Sequence, residues 1–88
     1  MTIVTMYTTQ HCPFCRRAEA LLAARGVKHI EQIDVDRSDQ ALSEMISRTG
    51  RRTVPQIFIG ARHIGGCDDL IDADRRGELV HWLAQSPG

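Results

Sequence analysis

Cys12 and Cys15, separated only by Pro13 and Phe14, are two of the three cysteines in this 88-residue chain; Cys67 is the third. Thiols at such spacing can staple a fold, hold a metal or exchange disulfides. As a staple the pair is poor, because closing so short a loop contributes about 2 kcal/mol at best in the chain-entropy model. A secreted disulfide scaffold would also carry an even and denser cysteine set. A zinc site would need His63 and Cys67, or His11, as further donors, but Pro13 stiffens the loop and no second Cys-x-x-Cys exists. Disulfide chemistry is the better expectation.

The element that must position the pair is a helix. Pro13 suits a first helical turn, since its missing N–H is not needed there. Ala18, Leu21 and Leu22 recur at helical spacing from Phe14 to Arg25, and Gly26 ends the run. Cys12 therefore falls where unpaired N–H groups and the positive end of the helix dipole favour a thiolate. Cys15 lies one turn further in. The pair is asymmetric, with Cys12 the nucleophile and Cys15 the resolving thiol. Ionisation at Cys12 assists departure from a mixed disulfide more than attack, because nucleophilicity falls with pKa at a Brønsted slope of about 0.4–0.5.

Around that helix the pattern predicts a strand over Thr2 to Thr8, apolar on both faces, and a second over Val27 to Val35. Ser38 or Asp39 caps a helix striped by Leu42, Met45 and Ile46, which Gly50 stops. Gln56 to Gly60 is a third strand. A tight turn at Ala61-Arg62 leads to a short fourth, His63 and Ile64, broken by Gly65-Gly66. A helix opens near Cys67 or Asp68 with Leu70, Ile71 and Ala73 inside, and Gly77 separates it from a last helix carrying Leu79, Val80 and Leu83. Ser86-Pro87-Gly88 should fray. The order βαβ, helix, β-hairpin, helix gives an α/β fold: one domain over residues 1–88, a four-stranded mixed sheet flanked by helices.

Two other segments could carry chemistry. Pro55 after Thr53-Val54 fits the first position of a strand, and the residues alone favour an ordinary trans bond. Gly65-Gly66-Cys67-Asp68-Asp69 opens a helix with free N–H groups, an anion site. Its two acids point away from phosphate and toward a ligand of both signs, such as an amino-acid end group, unless they merely cap the helix. Cys67 alone reads as a buried small hydrophobe. His29 and His81 read as surface or satisfied groups rather than ligands, and Trp82 as packing. Arg51-Arg52 is either solvated or faces a ligand carboxylate.

Composition removes several classes. Eleven basic and eleven acidic residues leave a formal net charge of zero, without the basic excess that nucleic acid or anionic membranes require. No apolar run approaches a membrane span. The N-terminus lacks the basic start and apolar stretch of a signal peptide, so the expected address is the cytoplasm.

Taken together, Cys12-Pro13-Phe14-Cys15, Thr53-Val54-Pro55-Gln56 and Gly65-Gly66-Cys67-Asp68-Asp69 resemble the glutaredoxin family, in its short bacterial dithiol form, over nearly the whole chain. The resemblance implies a thioredoxin-like fold and glutathione-dependent reduction of protein disulfides and glutathione mixed disulfides. It implies no bound cofactor or metal, glutathione as co-substrate, and a monomer acting on disulfide-bonded or glutathionylated proteins, ribonucleotide reductase among the candidates. It also implies a glutathione site built from Phe14, Thr53, Val54, Pro55, Gly66, Cys67 and Asp68. Val54-Pro55 would be cis, and the Val54 backbone would pair with the glutathione cysteine as an added strand. The Cys67 and Asp68 helix start would take the γ-glutamyl carboxylate, and the Asp68 carboxylate its amine. Thr9 stands where the family often has lysine, and Phe14 where tyrosine is commoner. Rival readings are a redoxin reduced directly by thioredoxin reductase, an iron–sulfur carrier and the zinc module.

Overall fold

A computed structural model describes residues 3–85. Met1, Thr2 and the predicted frayed segment 86–88 lie outside the described residues. Four strands, β1 (Val4–Thr8), β2 (Ile30–Asp34), β3 (Gln56–Ile59) and β4 (Arg62–Gly65), form one sheet in the order β2-β1-β3-β4. β2 runs parallel to β1, while β3 and β4 are antiparallel to their neighbours. The helices are α1 (Pro13–Ala24), α2 (Asp39–Thr49), α3 (Cys67–Arg75) and α4 (Glu78–Ala84). This is the expected mixed α/β arrangement.

Alternation along the two interior strands divides the core. Val4 and Met6 of β1, with Ile57 and Ile59 of β3, pack with Ala18 and Leu22 of α1, Leu70 and Ala73 of α3, and Leu79 of α4. The intervening Tyr7 and Phe58 face the other way and meet Met45 of α2. Each interior strand is thus apolar on both faces, as a strand covered on both sides must be. Fully burying one such side chain stabilises the fold by about 1.5–3 kcal/mol.

Several boundaries differ from the sequence reading, each for a local reason. β2 begins at Ile30 and not Val27, because the Val27 N–H is spent on the Leu22 carbonyl at 3.0 Å. Gly26, at φ 94°, bonds the Ala23 carbonyl at 3.0 Å, completing a Schellman closure of α1. Arg25 is the cap of that helix rather than its last turn. At the hairpin, Arg62 is already in β4 and Gly65 still is. The turn is Gly60-Ala61, and the register steps between Ile57 and Phe58, a bulge that leaves Ile64 unpaired. Ser38 is the α2 cap, its hydroxyl accepting from the Ala41 N–H at 3.1 Å.

Two polar ties join layers. Arg25 at the end of α1 makes a two-pronged ion pair with Asp74 of α3 at 2.6 and 2.8 Å, which holds the Asp74 carboxyl below its ordinary range. On the opposite face the Tyr7 hydroxyl donates to Glu44 and accepts from Arg48 Nη1 at 2.8 Å, while the Arg48 guanidinium lies 4.0 Å over the Phe58 ring. In Tyr7→Phe the ring stays packed and only the hydroxyl is lost. Urea denaturation should show a loss of about 0.5–1.5 kcal/mol, with thiol–disulfide turnover unchanged. A loss above about 3 kcal/mol would show that the hydroxyl organises the whole α2 face.

Candidate active site

The chain reaches the site from the C-terminal end of β1. Thr8 is buried at that end, and a short loop leads to Cys12, the N-cap residue of α1 with extended backbone (φ −117°, ψ 103°). In this position a serine or aspartate oxygen usually accepts a first-turn N–H. Here sulfur does so: Cys12 Sγ accepts from the Cys15 N–H at 3.2 Å. Pro13 occupies the first helical position, as predicted. Cys12 retains 9% exposure and Cys15 none, so an incoming disulfide can reach only the outer sulfur.

Burial, then the hydrogen bond to Cys12, pushes the Cys15 thiol up to about 11, against smaller opposing contributions from the Thr8 hydroxyl and the Thr9 backbone. Cys67 is also raised, first by burial and then by Asp68. All three cysteines are free thiols.

Three segments converge on Cys12. The Val54–Pro55 bond is cis, as the resemblance implied and the residue-by-residue reading did not, and the Val54 carbonyl lies 3.9 Å from Cys12 Sγ. Cys67, at the start of α3, shares the Cys12 and Cys15 core cluster, against which Val54 also packs. Gly66 neighbours the residue after the cis bond: a Cβ there would meet the Pro55 carbonyl at 3.5 Å, an ordinary van der Waals contact. Phe14 is 53% exposed beside the thiol, with the Arg17 guanidinium 6.0 Å from its ring. Thr53 and Asp68 are exposed on their segments. Gly66 donates its N–H to Asp69 Oδ2 at 2.8 Å, so that N–H is already used. Among the described residues no three His, Cys, Asp or Glu side chains are placed to hold a metal ion, and His63 instead pairs with Gln56.

Comparison with known proteins decides the family. The glutaredoxin family model matches residues 4–64. Glutaredoxin 3 of Escherichia coli (strain K12) is 52% identical over 79 residues, covering 90% of this chain and 94% of that protein. The chain belongs to the glutaredoxin family. Among solved structures, the glutaredoxin of Brucella melitensis superposes with a TM-score of 0.81 at 46% identity, over 94% of this chain and 89% of that one. A buckwheat glutaredoxin–glutathione complex gives 0.84 at 33% identity, over 93% and 76%. The fold is therefore thioredoxin-like, and the protein is a glutathione-dependent thiol–disulfide oxidoreductase, the general activity of glutaredoxins.

Sequence reasoning missed the polar residues that brace this glutaredoxin's site. Arg51 Nη1 bonds Asp69 Oδ2 at 2.9 Å, linking the segment before Thr53 to the start of α3. The pair is nearly half exposed on each side and is worth about 0–1 kcal/mol, so it orients more than it stabilises. Gly65 has φ 116°, and a Cβ there would lie 2.3 Å from Asp69 Oδ2. Gln56, Thr53 and His63 form a second brace. Its one sequence signal was a polar Gln56 opening the apolar run Ile57-Phe58-Ile59, because a polar group in a covered strand must be satisfied.

The raised Cys15 pKa has a consequence for stability. Folded Cys15 holds its proton up to about pH 11, whereas an unfolded thiol loses it near about 8.5. The folded chain thus binds more protons in that window, and stability falls as pH rises through it. Denaturation of the reduced protein between pH 8 and 11 should show this decline, with a shallower slope in Cys15→Ala. Parallel slopes would mean that other groups carry the alkaline response.

Proposed function

We propose that Cys12 is the nucleophile and Cys15 the resolving thiol of this glutaredoxin, with glutathione held by Phe14, Thr53–Pro55 and the Gly66–Asp68 helix start. The observation that carries the reading is Cys12 Sγ at the helix N-cap, the more accessible sulfur of the pair, 3.9 Å from the Val54 carbonyl. The Cys12 thiolate attacks one sulfur of a protein disulfide or a glutathione mixed disulfide. The old S–S bond breaks, and the departing sulfur leaves as a thiolate that takes a proton. Cys15, losing its proton, then attacks Cys12 Sγ and releases the second thiol. Two glutathione molecules reduce the resulting Cys12–Cys15 disulfide and leave as glutathione disulfide, which a separate NADPH-dependent reductase recycles.

Magnitudes decide how resolution competes. At a pKa of about 11, roughly one Cys15 in 10⁴ is ionised at pH 7, and higher basicity returns only about 40–100-fold through nucleophilicity relative to a thiol of pKa about 7. Proximity outweighs the deficit, since well-oriented intramolecular groups reach effective molarities of about 10⁵ M or more. Once Cys12 is in a mixed disulfide its charge is gone, which removes part of the rise at Cys15. Burial, the larger part, stays.

The glutathione assignment draws support from the convergence of the cis Val54–Pro55 segment and the α3 start on one thiol. Cys67 and Asp68 supply first-turn N–H groups, which have no carbonyl one turn back and suit a carboxylate. The exposed Asp68 suits the amine beside it. Phe14 supplies an apolar wall. The substrates proposed are disulfide-bonded and glutathionylated proteins of the cytoplasm, with glutathione visiting as co-substrate and not as a resident group.

The deciding experiment is an NADPH-coupled assay with glutathione plus glutathione reductase, run beside thioredoxin reductase alone. Turnover only in the first supports the reading. Cys12→Ser should abolish activity toward every substrate. Cys15→Ser should keep removal of glutathione from mixed disulfides, where a second glutathione resolves, and lose most reduction of protein disulfides. Substantial turnover by Cys12→Ser would mean the nucleophile is misassigned.

Asp68→Ala should raise KM for glutathione several-fold with a loss of only about 0.3–1 kcal/mol of stability, the usual worth of a first-turn carboxylate. An unchanged KM with lowered stability would make Asp68 a helix cap and nothing more.

A further inference from the structure

Gln56 is fully buried at the start of β3, directly after the cis proline. Strand alternation puts it on the same side as Phe58, and it pairs in register with Tyr7. Its amide Nε2 donates to the Thr53 carbonyl at 3.1 Å and to the Thr53 hydroxyl at 3.3 Å. A carbonyl can only accept, so the NH₂ of Gln56 must face Thr53 and its Oε1 must face the other way. There it meets His63 Nε2 at 2.8 Å. That nitrogen must then carry a hydrogen.

His63 comes from the edge strand β4 and is itself held. Its ring lies against Phe58, centroids 4.9 Å apart at 33°, and the two residues are cross-strand partners. The imidazole is therefore fixed by packing, the amide by the imidazole, and Thr53 by the amide. Nothing else in this chain of contacts needs so costly an arrangement: a buried amide between two polar neighbours contributes little net stability, while losing one partner leaves a buried acceptor unsatisfied.

We propose that His63 is a positioning residue for glutathione binding: through the Gln56 amide, its Nε2–H holds Thr53 in the setting from which the Val54–Pro55 backbone meets the tripeptide. The proposal rests on the glutathione reading of that segment given above. His63 acts through Gln56 and Thr53 rather than on the reacting sulfurs. Without its hydrogen bond, the Gln56 amide can turn or admit water, and Thr53 loses both of its contacts to that amide. Binding weakens while the Cys12–Cys15 chemistry, built on α1, is untouched.

His63→Phe keeps a ring against Phe58 and removes the donor. His63→Gln returns an N–H near the Nε2 position. In the glutathione reductase-coupled assay, H63F should raise KM for glutathione about five-fold or more with kcat within two-fold of the parent, and H63Q should restore KM to within two-fold. If H63F does not fold, His63→Asn, which is too short to place a donor at Gln56, takes its place with the same expectation. A KM within two-fold of the parent in the donor-less variant, a fall in kcat alone, or a raised KM that Gln does not rescue would each overturn the proposal. Asp68→Ala measured in parallel separates the two ideas. If D68A raises KM and H63F does not, the proposal fails and the glutathione site stands. If neither raises it, both are overturned.

Discussion

The Cys15 N–H to Cys12 Sγ hydrogen bond is the constraint around which this small protein is arranged. A helix must begin somewhere, and its first N–H groups must find acceptors. Placing the reactive sulfur in the acceptor position makes the start of α1 and the thiol site one object. Pro13 sets the first turn, the buried Ala18 and Leu22 dock that turn on the sheet, and the Val27 bond to Leu22 closes the far end. A change that shifted α1 along its axis would move the sulfur, the resolving thiol and the cap together. Accessibility then divides between two cysteines one turn apart, because one lies at the rim and the other beneath it, where burial raises the Cys15 thiol.

The remaining elements bring backbone to that sulfur. Parallel pairing of β1 with β2 forces the chain through α1, and antiparallel pairing of β3 with β1 delivers Val54 and Pro55 beside Thr8 and Cys12. The hairpin to β4 returns the chain so that α3 starts against Pro55. Four short strands suffice because each interior strand is covered on both faces. The α2 face, with Tyr7, Met45 and Phe58, contributes packing and carries the polar brace behind Thr53 but offers no reactive group of its own.

Much of this was legible in the residues. Helical spacing and glycine stops located α1 and α2, Pro13 marked the first turn, and the cysteine pair in a βαβ setting indicated disulfide exchange. What failed did so where a local hydrogen bond outranked a pattern. Val27 looks like a strand residue by type, yet its N–H closes a helix. Arg62 looks like a turn residue, yet the tight Gly60-Ala61 turn lets pairing begin there. Pro55 gave no sign of its cis bond without the resemblance of the whole chain. The Gln56–His63 and Arg51–Asp69 contacts link residues close in space whose types are common on any surface. Only the register of β3 against β4, and the approach of α3, brings them together.

The bulge in β4 bears on what the margins of the sheet can accept. A sheet's outermost strands expose unpaired backbone groups and can template association with other chains. β2 presents Glu31 and Gln32 to solvent along one edge, where a neighbouring strand would have to bury a charge. The other edge is guarded by shape: the register step at Ile64 interrupts the even spacing that a straight strand would need in order to add. Both margins are thus poor templates for an added strand, one because of an exposed charge and the other because of its uneven register, and the shortness of the strands works in the same direction.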